Sequence, residues 1–169
     1  MSSNERPTAD PFDDVSDPVR IFRLVLFTAQ QLRYLMDRRL AAASLTTQQA
    51  MLLSALEFMG GSATLGEVAD KLAMTHQNVK QLAVSLANKG FAAVEVDASD
   101  RRARRIRPTE QSQRFWKGRE RDDHRAIDDL MRDFSPEELR TLARLLGKLA
   151  SATEPVCRAL RNSASPAGK

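Results

Sequence analysis

The chain has 169 residues, a formal net charge of +4, 42% hydrophobic and 28% charged residues, which predicts a globular, water-soluble protein of one domain with an added helical element. No run approaches the roughly 20 apolar residues of a membrane span, and the acidic opening MSSNERPTADPFDDVSDP lacks the apolar segment of a secretory signal, so the expected location is the cytoplasm. The single cysteine, Cys157, excludes an internal disulfide and reads as a reduced, partly buried thiol.

Residues 1–17, with Pro7, Pro11 and several aspartates, predict a disordered acidic arm. A helix is expected from Pro18 to about Ala43, with Asp17 as N-cap and Pro18 at its first position. Val19, Phe22, Val25, Leu26, Ala29, Leu32, Met36 and Leu40 recur at helical spacing and form one stripe. Residues 18–45 are thus assigned to an N-terminal dimerisation helix. A second helix runs from about Thr46 to Met59 and stops at Gly60-Gly61.

The segment TLGEVADKLAMTHQNVKQLAVSLANKG reads as a short helix, Leu65 to Leu72, a tight turn, and a longer helix, His76 to Lys89. Thr75 caps the longer helix and Gly90 closes it. Leu65, Val68, Ala69 and Leu72 face Val79, Leu82, Ala83 and Leu86, the pattern of a helix-turn-helix. FAAVEV, residues 91–96, predicts a strand, residues 97–101 a turn, and Arg104–Pro108 a returning strand. A hairpin directly after a helix-turn-helix is a winged helix, so residues 46–109 are assigned as a winged helix-turn-helix DNA-binding domain. The fold class expected is mainly α, with a two-stranded β-wing flanked by long N- and C-terminal dimerisation helices. Helices from Thr109 to Phe134 and from Ser135 to about Leu160 follow, the latter announced by Ser135-Pro136-Glu137-Glu138. Leu139, Leu142, Leu146 and Leu149 give it an apolar seam, and Pro155 is expected to kink or interrupt it. Residues 110–162 are read as C-terminal dimerisation helices and 163–169 as a disordered tail.

Charge is unevenly spread. Residues 1–20 hold five acids and two bases, a balance of −3, whereas residues 75–109 hold seven bases and three acids, a balance of +4. Such separation points to a localised anionic partner, with nucleic acid the commonest. The second helix of the helix-turn-helix offers His76, Gln77, Asn78, Lys80 and Gln81, side chains able to hydrogen-bond base edges and phosphates. Taken alone, that is also an ordinary polar helix face. The hairpin shifts the balance, because five arginines fall between Arg101 and Arg107. Arginines crowded on two short strands repel each other, and a phosphate backbone supplies the missing charge. Asp100 is positioned to orient the Arg102 guanidinium, and Arg102 is the best candidate for a minor groove.

The quoted segments LTTQQAMLLSAL, LGEVADKLAMTHQNVKQLAVSLANKGF and DRRARRIRPTEQ resemble the multiple-antibiotic-resistance regulator (MarR) family over about residues 20–150. Asp100-Arg101-Arg102 matches the family's wing signature, and Thr109 its threonine entering the next helix. Three departures stand out: Pro108 replaces a usual leucine, predicting a second wing strand that ends early; Glu110-Gln111-Ser112 stand where glycine is usual; and Ser85 stands where a base is frequent, removing one phosphate contact. The resemblance implies a dimer on pseudo-palindromic promoter DNA, most simply a repressor, released by a small-molecule effector or by oxidation. The interface it implies comprises Thr75, His76, Gln77, Asn78, Lys80 and Gln81 at the major groove and Asp100, Arg101, Arg102 and Arg104 in the wing, with Arg105 pointing the other way.

A dimer also follows from the stripes on the first and last helices, which are longer than one winged-helix lobe can cover; the alternative is that they pack on each other within one chain. No catalytic fingerprint or metal-ligand spacing is present, so neither enzyme activity, cofactor nor metal is expected. His124, within RERDDHRA, reads as part of a solvated helix face, and Phe115 and Trp116 as core rather than effector pocket. The competing function is a winged helix used as a protein-interaction or architectural module without sequence-specific DNA binding. That reading predicts an apolar or acidic second helix and a neutral wing, neither of which the sequence has.

Overall fold

Side-chain caps set most of the helix boundaries. The computed structural model describes residue 12 and residues 14–164, with side chains through residue 160. The disordered segments expected at the two ends fall outside the described residues, apart from residues 12 and 14–17 and residues 163–164. Its elements are α1 (Asp17–Leu40), a 3-10 turn (Ala41–Ala43), α2 (Thr47–Phe58), β1 (Ala63–Thr64), α3 (Leu65–Leu72), α4 (His76–Asn88), β2 (Ala92–Val96), β3 (Arg104–Pro108), α5 (Glu110–Leu130) and α6 (Pro136–Ala164). The chain divides into two compact units, residues 1–50 and 51–169.

In the first unit, α1 begins one residue earlier than expected. Ser16 occupies the cap position with extended backbone and makes no side-chain cap bond, while Asp17 lies in the first turn. There its carboxylate faces the positive end of the helix dipole, so it stabilises the start by charge rather than as the cap. The helix tightens into the 3-10 turn and stops at Ser44, whose φ of 54° is left-handed. Thr46 and Gln49 then cap each other across the start of α2, the Thr46 amide donating to the Gln49 side chain at 3.1 Å and the Gln49 amide to Thr46 Oγ1 at 3.3 Å. Asp37 receives both the amide and the hydroxyl of Thr47, at 2.6 and 2.7 Å, and these bonds hold its carboxyl below the usual carboxylate range.

In the second unit, α2 ends in a double-glycine turn. Gly61 donates to the Leu56 carbonyl at 2.7 Å and Gly60 to that of Glu57 at 3.2 Å, both glycines having positive φ. The turn leads into β1, and Thr64 begins α3 with a capping box. The Glu67 amide donates to Thr64 Oγ1 at 3.2 Å, and the Thr64 amide donates to Glu67 Oε2 at 2.7 Å. α3 packs on α4 and on β1 and β3, and α4 packs on β2. Leu52, Leu53, Leu56, Val68, Val79, Leu86 and Ile106 are fully buried and form the centre of this unit. Each such side chain contributes roughly 1.5–3 kcal/mol by leaving water.

The wing is the expected two-stranded hairpin of β2 and β3, and a third strand, which the sequence did not suggest, joins it. The sheet has three antiparallel strands in the order β1-β3-β2. Ile106 sits between Ala63 and Val94, so β1 closes the inner edge of the hairpin. Two residues are too short to carry an alternation pattern, which is why β1 was invisible in the sequence. Pro108 does not shorten β3. It pairs with Ala92 as the final residue of the strand, a terminal place where the missing N–H costs no ladder bond.

α5 starts from a Thr109 cap whose hydroxyl accepts from the Ser112 amide at 3.2 Å. Ser135 and Glu138 form the reciprocal cap expected for α6. That helix is not interrupted at Pro155 and runs to Ala164, two residues past the boundary expected at 162. Proline removes a single helical hydrogen bond, and the carbonyl left over belongs to exposed Ser151, where water can satisfy it.

Candidate nucleic-acid interface

α4 carries two chemically distinct faces. Val79, Ala83 and Leu86 are buried, whereas Thr75, His76, Gln77, Asn78, Lys80 and Gln81 are all exposed. At 3.6 residues per turn, His76, Gln77, Lys80 and Gln81 share one outer face, and Asn78 lies on its flank. Thr75 has a split duty. Its oxygen accepts from the Asn78 amide at 3.2 Å to cap α4, which leaves its hydroxyl proton available outward. Ser85, one turn beyond Gln81, is half-buried.

The hairpin tip is organised by a residue whose role its sequence position does not reveal. Asp97, only 4% exposed, accepts at Oδ1 from the Ser99 hydroxyl, from the Ser99 amide at 2.8 Å and from the Asp100 amide at 3.0 Å. Its Oδ2 accepts from Arg105 Nε at 2.6 Å. The Ser99 hydroxyl, the Arg105 guanidinium and the two amides together hold its carboxyl well below the usual carboxylate range. Arg105 reaches on to the Ser62 carbonyl at 3.4 Å, tying the tip to the approach to β1. On the same face, Arg107 donates twice to Glu95, at 2.9 and 3.2 Å.

Two of the five wing arginines are therefore part of the fold's own chemistry, which corrects the expectation that the whole cluster lacks internal partners. Strand alternation explains the division: Arg105 and Arg107 share a face with Glu95, opposite to the face of Ile106. Arg101, Arg102 and Arg104 meet no carboxylate among the described residues, and Arg101, Arg102 and Arg104 are exposed. Asp100 also behaves differently from the expectation. It accepts from the Arg102 backbone amide at 2.9 Å, not from the guanidinium, so it shapes the turn and leaves the Arg102 side chain free. Arg105 does point away, as expected, toward Asp97 and Ser62.

The lobe is joined to α5 at the end of α4. The Thr109 hydroxyl donates to the Gly90 carbonyl at 2.6 Å, the Thr109 amide to the Phe91 carbonyl at 3.2 Å and Gln111 Nε2 to the Lys89 carbonyl at 3.3 Å. Beyond this joint, Phe91 meets Phe115 edge-on, and Phe115 meets Trp116. Arg119 lies over both rings of that pair while forming a two-point ion pair with Asp123 at 2.6 and 2.9 Å. Phe115 and Trp116 are thus packed and half-buried. Among the described residues no group of three His, Cys, Asp or Glu could hold a metal ion, and no helix is long and apolar enough to cross a membrane.

The MarR family model matches residues 43–103, the stretch that holds α4 and the first part of the hairpin. That segment is similar to the winged helices of the MarR family. Solved MarR-family structures extend the likeness over most of the chain. A MarR protein from Peptoclostridium difficile superposes with a TM-score of 0.78 at 19% identity, covering 92% of this chain and 99% of that one. The organohalide-sensing RdhR transcriptional regulator in its 2,4-dichlorophenol-bound form gives 0.74 at 18% identity, covering 92% and 91%. An E. coli MarR mutant complexed with operator DNA gives 0.70 at 18% identity, covering 78% and 94%. At these identities the structural likeness shows a shared fold. No curated protein sequence matches the chain.

Proposed function

We propose that this chain is a transcriptional regulator, a repressor that binds a pseudo-palindromic operator as a homodimer in the cytoplasm. The observation that carries the reading is the pairing of an outward polar face on α4 with three wing guanidiniums that meet no carboxylate among the described residues. His76, Gln77, Lys80 and Gln81, with Thr75 and Asn78 at the edges, enter the major groove. Arg101 and Arg104 grip phosphates, Arg102 enters the minor groove, and Asp100 shapes the turn that presents them. The function is binding, not catalysis.

The dimer is supported by apolar side chains left in solvent. Phe22 on α1 is 64% exposed and Leu145 on α6 is 49% exposed, each within a longer exposed apolar series. Faces of that size in water mark an interaction surface. Two copies place two recognition helices about one DNA turn apart, roughly 34 Å. Release by a small-molecule effector is supported by a structural neighbour solved in a 2,4-dichlorophenol-bound form.

Fluorescence anisotropy against the protein's own upstream intergenic duplex and a scrambled duplex, at near-physiological salt, tests the reading. A preference of about 10³-fold or more is expected. Equal weak binding to both duplexes would favour an architectural or protein-interaction role.

A further inference from the structure

Val84 stands apart from every other apolar residue of α4. Val79, Ala83 and Leu86 are buried and Leu82 and Ala87 half-buried, yet Val84 is 51% exposed. It lies on the line His76–Lys80–Val84, at i, i+4 and i+8, and so belongs to the outward face that carries Gln77 and Gln81. An isolated exposed valine needs no explanation on an arbitrary surface. Here it neither packs nor favours the helix, because its branched Cβ makes it a poorer helix former than the lysine and glutamines beside it.

We propose that Val84 is a specificity-determining residue that reads the C5-methyl group of a thymine in the major groove. The inference rests on the DNA-binding reading above and deepens it. Thymine alone presents a methyl group there, and an apolar side chain is the matching contact. The neighbouring glutamines, lysine and histidine read hydrogen-bond donors and acceptors and cannot supply that contact. Reach is adequate: eight residues at about 1.5 Å each place Val84 about 12 Å along the helix from His76, comparable to the roughly 12 Å width of the groove. Valine gives two methyl groups to the contact and loses no hydrogen bond on leaving water.

The test uses the full chain and the footprinted operator. Each thymine of a half-site is replaced in turn by deoxyuridine, which keeps the base pair and removes only the methyl group. At one position per half-site the substitution weakens wild-type binding about fourfold, the value of one buried methylene-sized group. Val84→Ala binds the thymine duplex more weakly by a similar factor and no longer distinguishes thymine from deoxyuridine at that position. Arg101→Ala weakens both duplexes alike and keeps the distinction. The substitution is exposed and alanine favours helix, so the variant retains its fold, checked by its helical circular dichroism. Specific operator binding with no position at which Val84→Ala abolishes the deoxyuridine effect overturns the inference, as does a protected half-site that contains no thymine. Absence of any operator preference in the wild type overturns the DNA-binding reading itself, and this inference with it.

Discussion

Asp97 holds Arg105 Nε at 2.6 Å across the base of the hairpin tip, and this pair decides which wing arginines are free. Arg105 is spent on Asp97 and the Ser62 carbonyl, Arg107 on Glu95. The same carboxylate gathers the amides of Ser99 and Asp100, so one buried acid fixes both the turn and one guanidinium.

Asp97→Asn should loosen the hairpin, read as faster hydrogen exchange at the Asp97 and Ala103 amides that bridge its tip. The pH dependence has a definite sign. Because the folded carboxyl is held below its ordinary value, its stabilisation is fully present above the unfolded value of about 4 and is lost as pH falls toward the folded one. The difference in protection between wild type and variant should stay flat from pH 8 to about 5 and shrink only below about 4. A difference that vanished by pH 6 would contradict the assignment.

Salt dependence separates free from paired arginines. Arg102→Ala should lower operator affinity and reduce the slope of log K against log salt by about 0.9, the share of one phosphate contact. Arg107→Ala should change that slope much less, since Glu95 already neutralises the cation. Equal slope changes in titrations of the two variants would place Arg107 on the DNA.

At the joint between α4 and α5, the left-handed backbone penalises a side chain at Gly90. Its φ is +77°, and an added Cβ would lie 2.6 Å from Gln111 Oε1. Gly90→Ala should lose roughly 1–2 kcal/mol from the left-handed backbone, and little from the contact, because the Gln111 side chain can turn aside. Adding Gln111→Ala should recover only the contact part, measured as a thermal-unfolding double-mutant cycle. Full recovery would show that the backbone carries no strain.

Ser112 is buried, and its hydroxyl has no hydrogen-bond partner among the described residues. Ser112→Ala removes that desolvated group with almost no change in volume. It should raise stability by about 1 kcal/mol, seen as a higher melting temperature. A lower one would reveal a partner that the hydroxyl needs.

Leu146→Asp places a charge in the exposed seam of α6. Sedimentation should show a shift from dimer toward monomer at micromolar concentration. Operator affinity should then fall by about a hundredfold or more, because the second half-site no longer binds as a linked event. A variant that stays dimeric and binds normally would exclude this seam from the interface.

Several features were legible because their causes are local. Thr75 and Ser135 announced α4 and α6 through caps that need only the next three residues. The period of Val79, Ala83 and Leu86 fixed which side of α4 is buried, and thus which side carries His76, Lys80 and Gln81. The same reasoning could have found Val84, whose place in the period is outward although its chemistry is apolar. Other features required the chain to be folded. β1 exists only because Ala63 meets Ile106, forty-three positions away. The Asp97–Arg105 and Glu95–Arg107 pairs depend on the register of the hairpin, and the approach of Gln111 to the end of α4 on the placing of α5. Periodicity and capping tell each residue which way to face, but the partner it meets there is set by distances between segments, and sequence spacing does not encode those distances.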